Sequence, residues 1–391
     1  MAWSKTALKE LKELLTIPTA PFRETLIRDY CVGKLDAWSI PYCLDEAGNL
    51  LVGVSSVRDY RRLLAAKTVE PLRVFVAHMD HPGFHVSAVR KDGSLEVQWF
   101  GGSPIKYLRG SKVWLADRTG YFGRGSIRKS VCHPQGYGLQ SANIVPEPAV
   151  DHVRLVRRRK EIFGGFAFRK PVWISGQRLY TKAADDLVGV FSILQTAKTL
   201  WRSKAAPKKH FIGLLTRAEE VGFVGMVAHL ESERLTKAKR EVIVVSLEAS
   251  RTLPGAEIGK GPVVRLGDRR SNFDPQASQL LSQIAERVLK ERHQRRVMDG
   301  GSCEATAAAS FGLRTMGITL PLGNYHNEGY DGGADCPHYR GPAPEYIHLS
   351  DLEGMLKLCH ALTREGLLWD DPWKNVRQRL QKNLTRYARL L

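Results

Sequence analysis

The chain has 391 residues, 43% of them hydrophobic, and a formal net charge of +19. That length and apolar content build one large domain and a smaller one, which excludes a disordered chain. No run reaches the roughly 18 apolar residues of a spanning helix, the first residues lack a signal peptide's apolar stretch, and the six cysteines show no CxxC spacing. The expectation is a cytoplasmic protein with reduced thiols and no membrane partner.

In chain order, Leu8, Leu11, Leu14 and Leu15 share one face of a helix that Pro18 closes, and a second helical stretch follows before a strand at Leu50–Val54. Leu72–Ala77 is a short apolar run of β-branched and aromatic character, which fits a strand buried on both faces. It delivers His78-Met79-Asp80 at its carboxyl end, where ligands bind in open α/β sheets.

From about Val86 to Gly176 the texture changes to short alternating strands broken by turns at Asp92-Gly93, Gly101-Gly102 and Thr119-Gly120. A small β-barrel inserted at 86–176 is expected, dividing a three-layer α/β/α domain with a mixed sheet into 1–85 and 177–391. This segment holds 16 Lys and Arg against 6 Asp and Glu, densest over Arg154, Arg157, Arg158, Arg159 and Lys160. It carries no helix-turn-helix or aromatic RNP pattern, so no nucleic-acid partner is expected; steering of acidic peptides is the use such a field suggests.

The α/β rhythm then returns, with a helix from about Leu187 to Trp201, a strand at His210–Leu215, a helix after Gly222 and a strand at Glu241–Leu247. Asp274-Pro275 starts a further helix, the Asp as cap and the Pro in its first turn. Asp371-Pro372 starts a last one, with Trp373, Val376, Leu380, Leu384, Tyr387 and Leu391 at steps of three and four among basic residues. Packing of that stripe on the protein's own body is expected ahead of a neighbouring subunit or an anionic surface.

Five segments put ligand-type residues at or just past strand ends: His78 with Asp80, Asp185 with Asp186, Glu219 with Glu220, Glu248, and His326. Singly each has an ordinary explanation as a polar pair, a helix cap or solvated charge; their order and placement together describe a site for two cations. A doubled Asp before a helix concentrates negative charge that a cation or the helix dipole must offset, which makes Asp185 the natural shared ligand. Adjacent carboxylates project differently, so Glu220 is expected to bind metal and Glu219 to act as general base. Asp80, two residues beyond His78 on extended backbone, is expected to serve catalysis by orienting that imidazole.

These residues, with Asp45–Leu50, Lys182–Asp186, Ile258–Pro262 and Gly300–Ser302, make the chain resemble the glutamyl and tetrahedral aminopeptidases, a family of cocatalytic metallopeptidases, over nearly its whole length. Spacing favours that branch over the carboxypeptidase and deacylase relatives: 105 positions separate Asp80 from Asp185, room for a barrel, against 78 between Glu248 and His326. The resemblance implies two divalent metal ions per subunit, zinc first with cobalt or manganese as alternatives. His78 and Glu248 would complete one site, Glu220 and His326 the other, with Asp185 shared. It further implies an oligomer that removes N-terminal residues from short peptides, using a metal-bridging water with Glu219 as base. A deacylase of non-peptide amides and a non-catalytic binding protein on the same scaffold are the rivals. The sequence departs from the family at His81, Leu187, Glu248 and Cys303-Glu304. An insertion at 327–343 carrying Asp335, Cys336 and His338 is expected to shape the pocket or to form a surface loop.

Overall fold

The computed structural model describes residues 3–203, 208–330 and 339–391. Asp335, Cys336 and His338 lie outside the described residues.

Leu72–His78 is buried along its whole length, as a largely apolar run interrupted only by Arg73 allows, and the Arg73 guanidinium is satisfied by Glu70 and by the Leu362 and Arg364 carbonyls. It pairs in parallel with Phe211–Thr216 on one side and Val242–Arg251 on the other, and the latter pairs in parallel with Arg314–Leu322. These four strands form the centre of an eight-stranded sheet. Antiparallel partners flank them: Leu50–Val52 beside Phe211–Thr216 and Val263–Asp268 beside Arg314–Leu322.

Successive side chains of a strand point to opposite faces, and the two cores follow that rule. Phe75 and Ala77 pack with Leu187–Arg202, Pro275–Leu289 and Leu349–Leu362. Val74 and Val76 face the other way, against Val57–Leu64, Val224–Glu231 and Glu304–Ser310. Helices therefore cover both faces of a mixed sheet. The helix Lys5–Thr16, capped by Ser4, adds Leu11, Leu14 and Leu15 to the first core, and its Glu10 meets Lys198 of Leu187–Arg202 at 2.7 Å.

Just beyond His78-Met79-Asp80 the chain enters a closed six-stranded barrel, running in space Gly83–Val89, Leu95–Phe100, Leu139–Pro146, Gly120–Cys132, Lys112–Asp117 and Phe163–Phe166. Closure leaves no sheet edge to protect, and Phe84, Leu95, Trp99, Leu115, Ile144 and Phe166 fill the interior. The strands Val172–Ser175 and Arg178–Thr181 pair outside the barrel, in a small sheet completed by Glu345–His348. Part of the basic run is committed to the barrel itself. Arg154 donates to both oxygens of buried Asp117, at 2.9 and 2.8 Å, and Arg158 to one at 3.3 Å. Burial would raise the Asp117 carboxyl, but these bonds outweigh it and hold the group below its ordinary range. Arg157, Arg159 and Lys160 stay exposed.

The last helix, Lys374–Tyr387, corrects one expectation. It forms where the sequence places it, yet none of its residues is buried, and Leu380 and Leu384 are each 57% exposed. Its first turn lies by Leu280 and Ile284 across a cleft that Val376 lines. An apolar stripe at helical spacing calls for a partner without specifying that the partner is the same fold.

Candidate metal centre

Parallel pairing brings the carboxyl ends of the four central strands to one edge, and each end supplies a site residue. His78 closes the first strand, opposite Thr216 of the second. Past Thr216 the chain turns through Ala218 in the left-handed region and a short 3-10 turn that carries Glu219 and Glu220. Glu248 lies on the third strand opposite Thr319 of the fourth, and His326 follows the end of that fourth strand. Asp185 comes from the turn before Leu187–Arg202, whose first N–H groups Asp186 caps through Gly189; the Asp185–Asp186 peptide is cis.

The side chains converge. His78 Nε2 lies 3.4 Å from Asp185 Oδ1 and 3.8 Å from Glu219 Oε2. His326 Nε2 lies 3.2 Å from Glu220 Oε2 and 3.8 Å from the other oxygen of Asp185. Asp185 thus stands between two imidazoles with one oxygen toward each. Two sets of donor atoms fall within 4.8 Å of one another, His78 with Asp185 and Glu220, and His78 with Glu219 and Glu248. Glu219 therefore stands on the His78–Glu248 side, with Glu220 on the His326 side.

The donor set fits divalent cations. Asp185 Oδ1, Glu220 Oε1 and Glu248 Oε1 are buried oxygens with no hydrogen-bond donor, and an uncompensated buried carboxylate costs several kcal/mol, roughly, after relaxation. Imidazole nitrogens and carboxylate oxygens without a thiolate suit zinc, cobalt or manganese. Desolvation, together with the neighbouring carboxylates, raises Glu219 and Glu248 well above the ordinary carboxylate range and raises Glu220 as well. Burial pulls both imidazoles down, but the surrounding anions win: His78 lies well above its ordinary value and His326 at about 9.

Asp80 lies beside His78, as its spacing suggests, and has further partners that the spacing does not show. Its carboxylate is 3.6 Å from His78 Nδ1, whose closer contact is the Asp80 carbonyl at 3.2 Å. The carboxylate also accepts the backbone N–H groups of Glu219 and Glu220, at 3.0 and 3.2 Å. The barrel rim closes on the other half of the cage. A Cβ at Gly102 would stand 2.3 Å from His326 Nδ1, and one at Gly101 3.2 Å from the Glu220 Cβ. Among the positions that depart from the family, His81 has Nδ1 2.8 Å from the Asp185 carbonyl and Nε2 3.3 Å from Asn327 Oδ1, and burial pushes its pKa down to about 4.

Several groups around the cage were given no role by the sequence. Glu304 meets the Thr216 hydroxyl with one oxygen while the other has no donor, and burial raises its pKa to about 7. Glu345 accepts backbone N–H groups of Ala184, Asp185 and His326. Arg251, Arg265 and Tyr325 line the cavity beside Glu248 with Gly300–Ser302. A doubled carboxylate advertises itself; Glu345, a single Glu outside the ordered ligand segments, does not.

Comparison with known proteins agrees with this architecture. The family model of the M42 glutamyl aminopeptidases matches residues 63–330. Among solved structures, the TET1 peptidase of Pyrococcus horikoshii, reported to assemble into a tetrahedron or a large octahedral shell, superposes with a TM-score of 0.69 at 23% identity, over 92% of this chain and 99% of that one. An aminopeptidase of the archaeon Desulfurococcus kamchatkensis gives 0.72 at 21% identity over 93% and 96%. A TET aminopeptidase from a marine-sediment thaumarchaeote gives 0.71 at 18% over 93% and 97%.

Proposed function

Because the chain belongs to the M42 glutamyl aminopeptidase family and is a peptide-bond hydrolase, we propose that it removes N-terminal residues from short peptides with the help of two divalent cations. His78 and Glu248 would hold one, Glu220 and His326 the other, and Asp185 would be shared. The observation that carries this is the Asp185 carboxylate set between the two imidazoles, at 3.4 and 3.8 Å. When bound, such a pair supplies Lewis acidity that polarises the scissile carbonyl and acidifies water. Zinc is the first choice, cobalt or manganese the alternatives.

The protein's own groups do the rest. Glu219, desolvated and thereby raised, takes a proton from the attacking water on a carboxylate oxygen and returns it to the departing amine nitrogen. Asp80 holds the Glu219–Glu220 turn in place through its two N–H contacts. The segment 86–176 acts as a lid and subunit contact on the body formed by 1–85 and 177–391, and Gly101 and Gly102 against Glu220 and His326 support the lid role. Homo-oligomeric assembly is proposed from the shells of the Pyrococcus neighbour. No described helix is long and apolar enough to cross a membrane, and five described cysteines are free thiols, which suits the cytoplasm.

The side chain removed is proposed to be acidic. Arg251 lines the cavity beside Glu248, backed by the buried Arg265, which bonds Ser250 and Thr319 and lies 3.7 Å from Asp268, and the exposed cations of the barrel steer anionic peptides toward it. The test pairs a substrate screen with one variant. Glutamyl and aspartyl amides should be cleaved faster than leucyl or lysyl amides, and N-acetylated peptides refused. Glu219→Gln should keep both cations and lose about 10²–10⁴-fold in turnover. Cleavage of acetylated and free peptides at equal rates would instead make the protein a deacylase.

A further inference from the structure

Glu345 opens the strand Glu345–His348, which pairs with Arg178–Thr181 so that Glu345 lies opposite Thr181. That register buries its side chain completely beneath the turn that carries Asp185. One oxygen accepts the N–H of Ala184 at 2.6 Å and of Asp185 at 3.1 Å; the other accepts the N–H of His326 at 2.9 Å. A single planar carboxylate therefore grips two segments that are far apart in sequence and that each carry a metal-binding side chain.

The His326 segment needs such a grip. Asn324, His326 and Asn327 all have positive φ, at 55, 53 and 62°, a region uncommon for non-glycine residues although Asn and His enter it more readily than most, and three such residues within four positions make a tight turn that outside contacts help to hold. Gly323 and Tyr346 exchange backbone hydrogen bonds at 2.9 and 3.1 Å and Asn324 Nδ2 donates to the Pro344 carbonyl at 2.8 Å, so the turn is pinned to the Glu345 segment just ahead of His326's own contact. Folding alone does not call for an anion here. A further buried negative charge beside Asp185 opposes folding, and it is sensible only where cations complete the cage.

We propose that Glu345 is a positioning residue that fixes the separation and orientation of Asp185 and His326, and so prepares the half of the cage that receives the second cation. This rests on the two-cation reading above. The carboxylate is essential because three N–H donors converge on it. A glutamine offers one acceptor oxygen and turns an NH₂ toward the remaining N–H, so at least one segment is released.

The test uses full-length protein stripped of metal, with zinc and cobalt as probes. In Glu345→Gln, affinity for the cation on the His326 side should fall about 10–100-fold, and that for the other, which meets only the shared Asp185, by less than about threefold. The visible spectrum of the cobalt-loaded variant should change more for the ion on the His326 side than for the other. At limiting metal kcat should fall with KM changed less than about threefold, and excess metal should restore part of it. Glu345→Asp, which keeps the charge but is one methylene shorter, should retain more of the second site than the glutamine variant. Wild-type affinities and cobalt spectrum in Glu345→Gln would overturn the proposal. So would loss of both cations together with a collapse in Tm, the mark of a purely structural role. The outcome is separable from that of the proposed activity: a wild-type chain that binds two cations but cleaves no aminoacyl amide defeats the activity and leaves this metal readout intact, whereas one that binds fewer than two defeats both.

Discussion

Oδ1 of Asp80 accepts the backbone N–H of Glu219 at 3.0 Å, and its second oxygen takes the N–H of Glu220 at 3.2 Å. One buried side chain thereby sets the direction in which both glutamates project. Asp80→Asn keeps the shape but offers one acceptor and one donor group, so one of the two bonds is lost. Turnover should fall about 10–100-fold with most of the metal retained; the check is kcat beside the metal-to-protein ratio. Loss of metal in proportion to activity would place Asp80 among the groups that hold the cations.

Gly102 touches the cage from the barrel side. A Cβ there would lie 2.3 Å from His326 Nδ1 and 2.9 Å from its Cε1, closer than real contacts allow. Gly102→Ala should therefore turn the imidazole and weaken cation binding on that side by about tenfold or more, while Tm changes little. Gly33, in a helix with nothing within 4 Å of its Cβ position, is the control. Gly33→Ala should leave binding unchanged and stabilise by about 0.5–1 kcal/mol.

Loading the metal-free protein should release protons. Burial raises Glu219, Glu220 and Glu248, so without cations these groups take up protons at pH values where free carboxylates are ionised. Cations compete with those protons, so binding tightens as pH rises through the raised values and levels off above them. Titration calorimetry in buffers of different ionisation enthalpy reads the proton count directly. Binding with no proton release would contradict the picture. Removing metal with a chelator should lower Tm, because a cation held at 100 times its Kd stabilises the native state by about 2.7 kcal/mol.

Glu10 and Lys198 join the first helix to Leu187–Arg202 at 2.7 Å, with both side chains at most about a tenth exposed and Gln195 donating to the same carboxylate at 2.8 Å. Lys198→Met strands a buried carboxylate and should cost about 3–5 kcal/mol in denaturant unfolding. Adding Glu10→Leu should recover most of that loss. A single-variant cost below about 1 kcal/mol would show that water or another cation replaces the lysine.

Those elements and residues that the sequence determined alone are the ones whose physical signal is local. Burial on both faces suits the largely apolar run of Leu72–Ala77, and a cap and proline at Asp274-Pro275 start a helix whatever surrounds it. Like charge crowded at Asp185-Asp186 and Glu219-Glu220 calls for compensation before any neighbour is known. Tertiary structure alone decided what depends on partners distant in sequence. It gave the Asp80 carboxylate to two backbone N–H groups more than 135 residues away, set Gly102 of the barrel against His326, and brought Glu345 under Asp185. It also left the apolar stripe of Lys374–Tyr387 in solvent. Side-chain type and spacing specify what a residue needs; only the register of strands and the packing of turns decide which group supplies it.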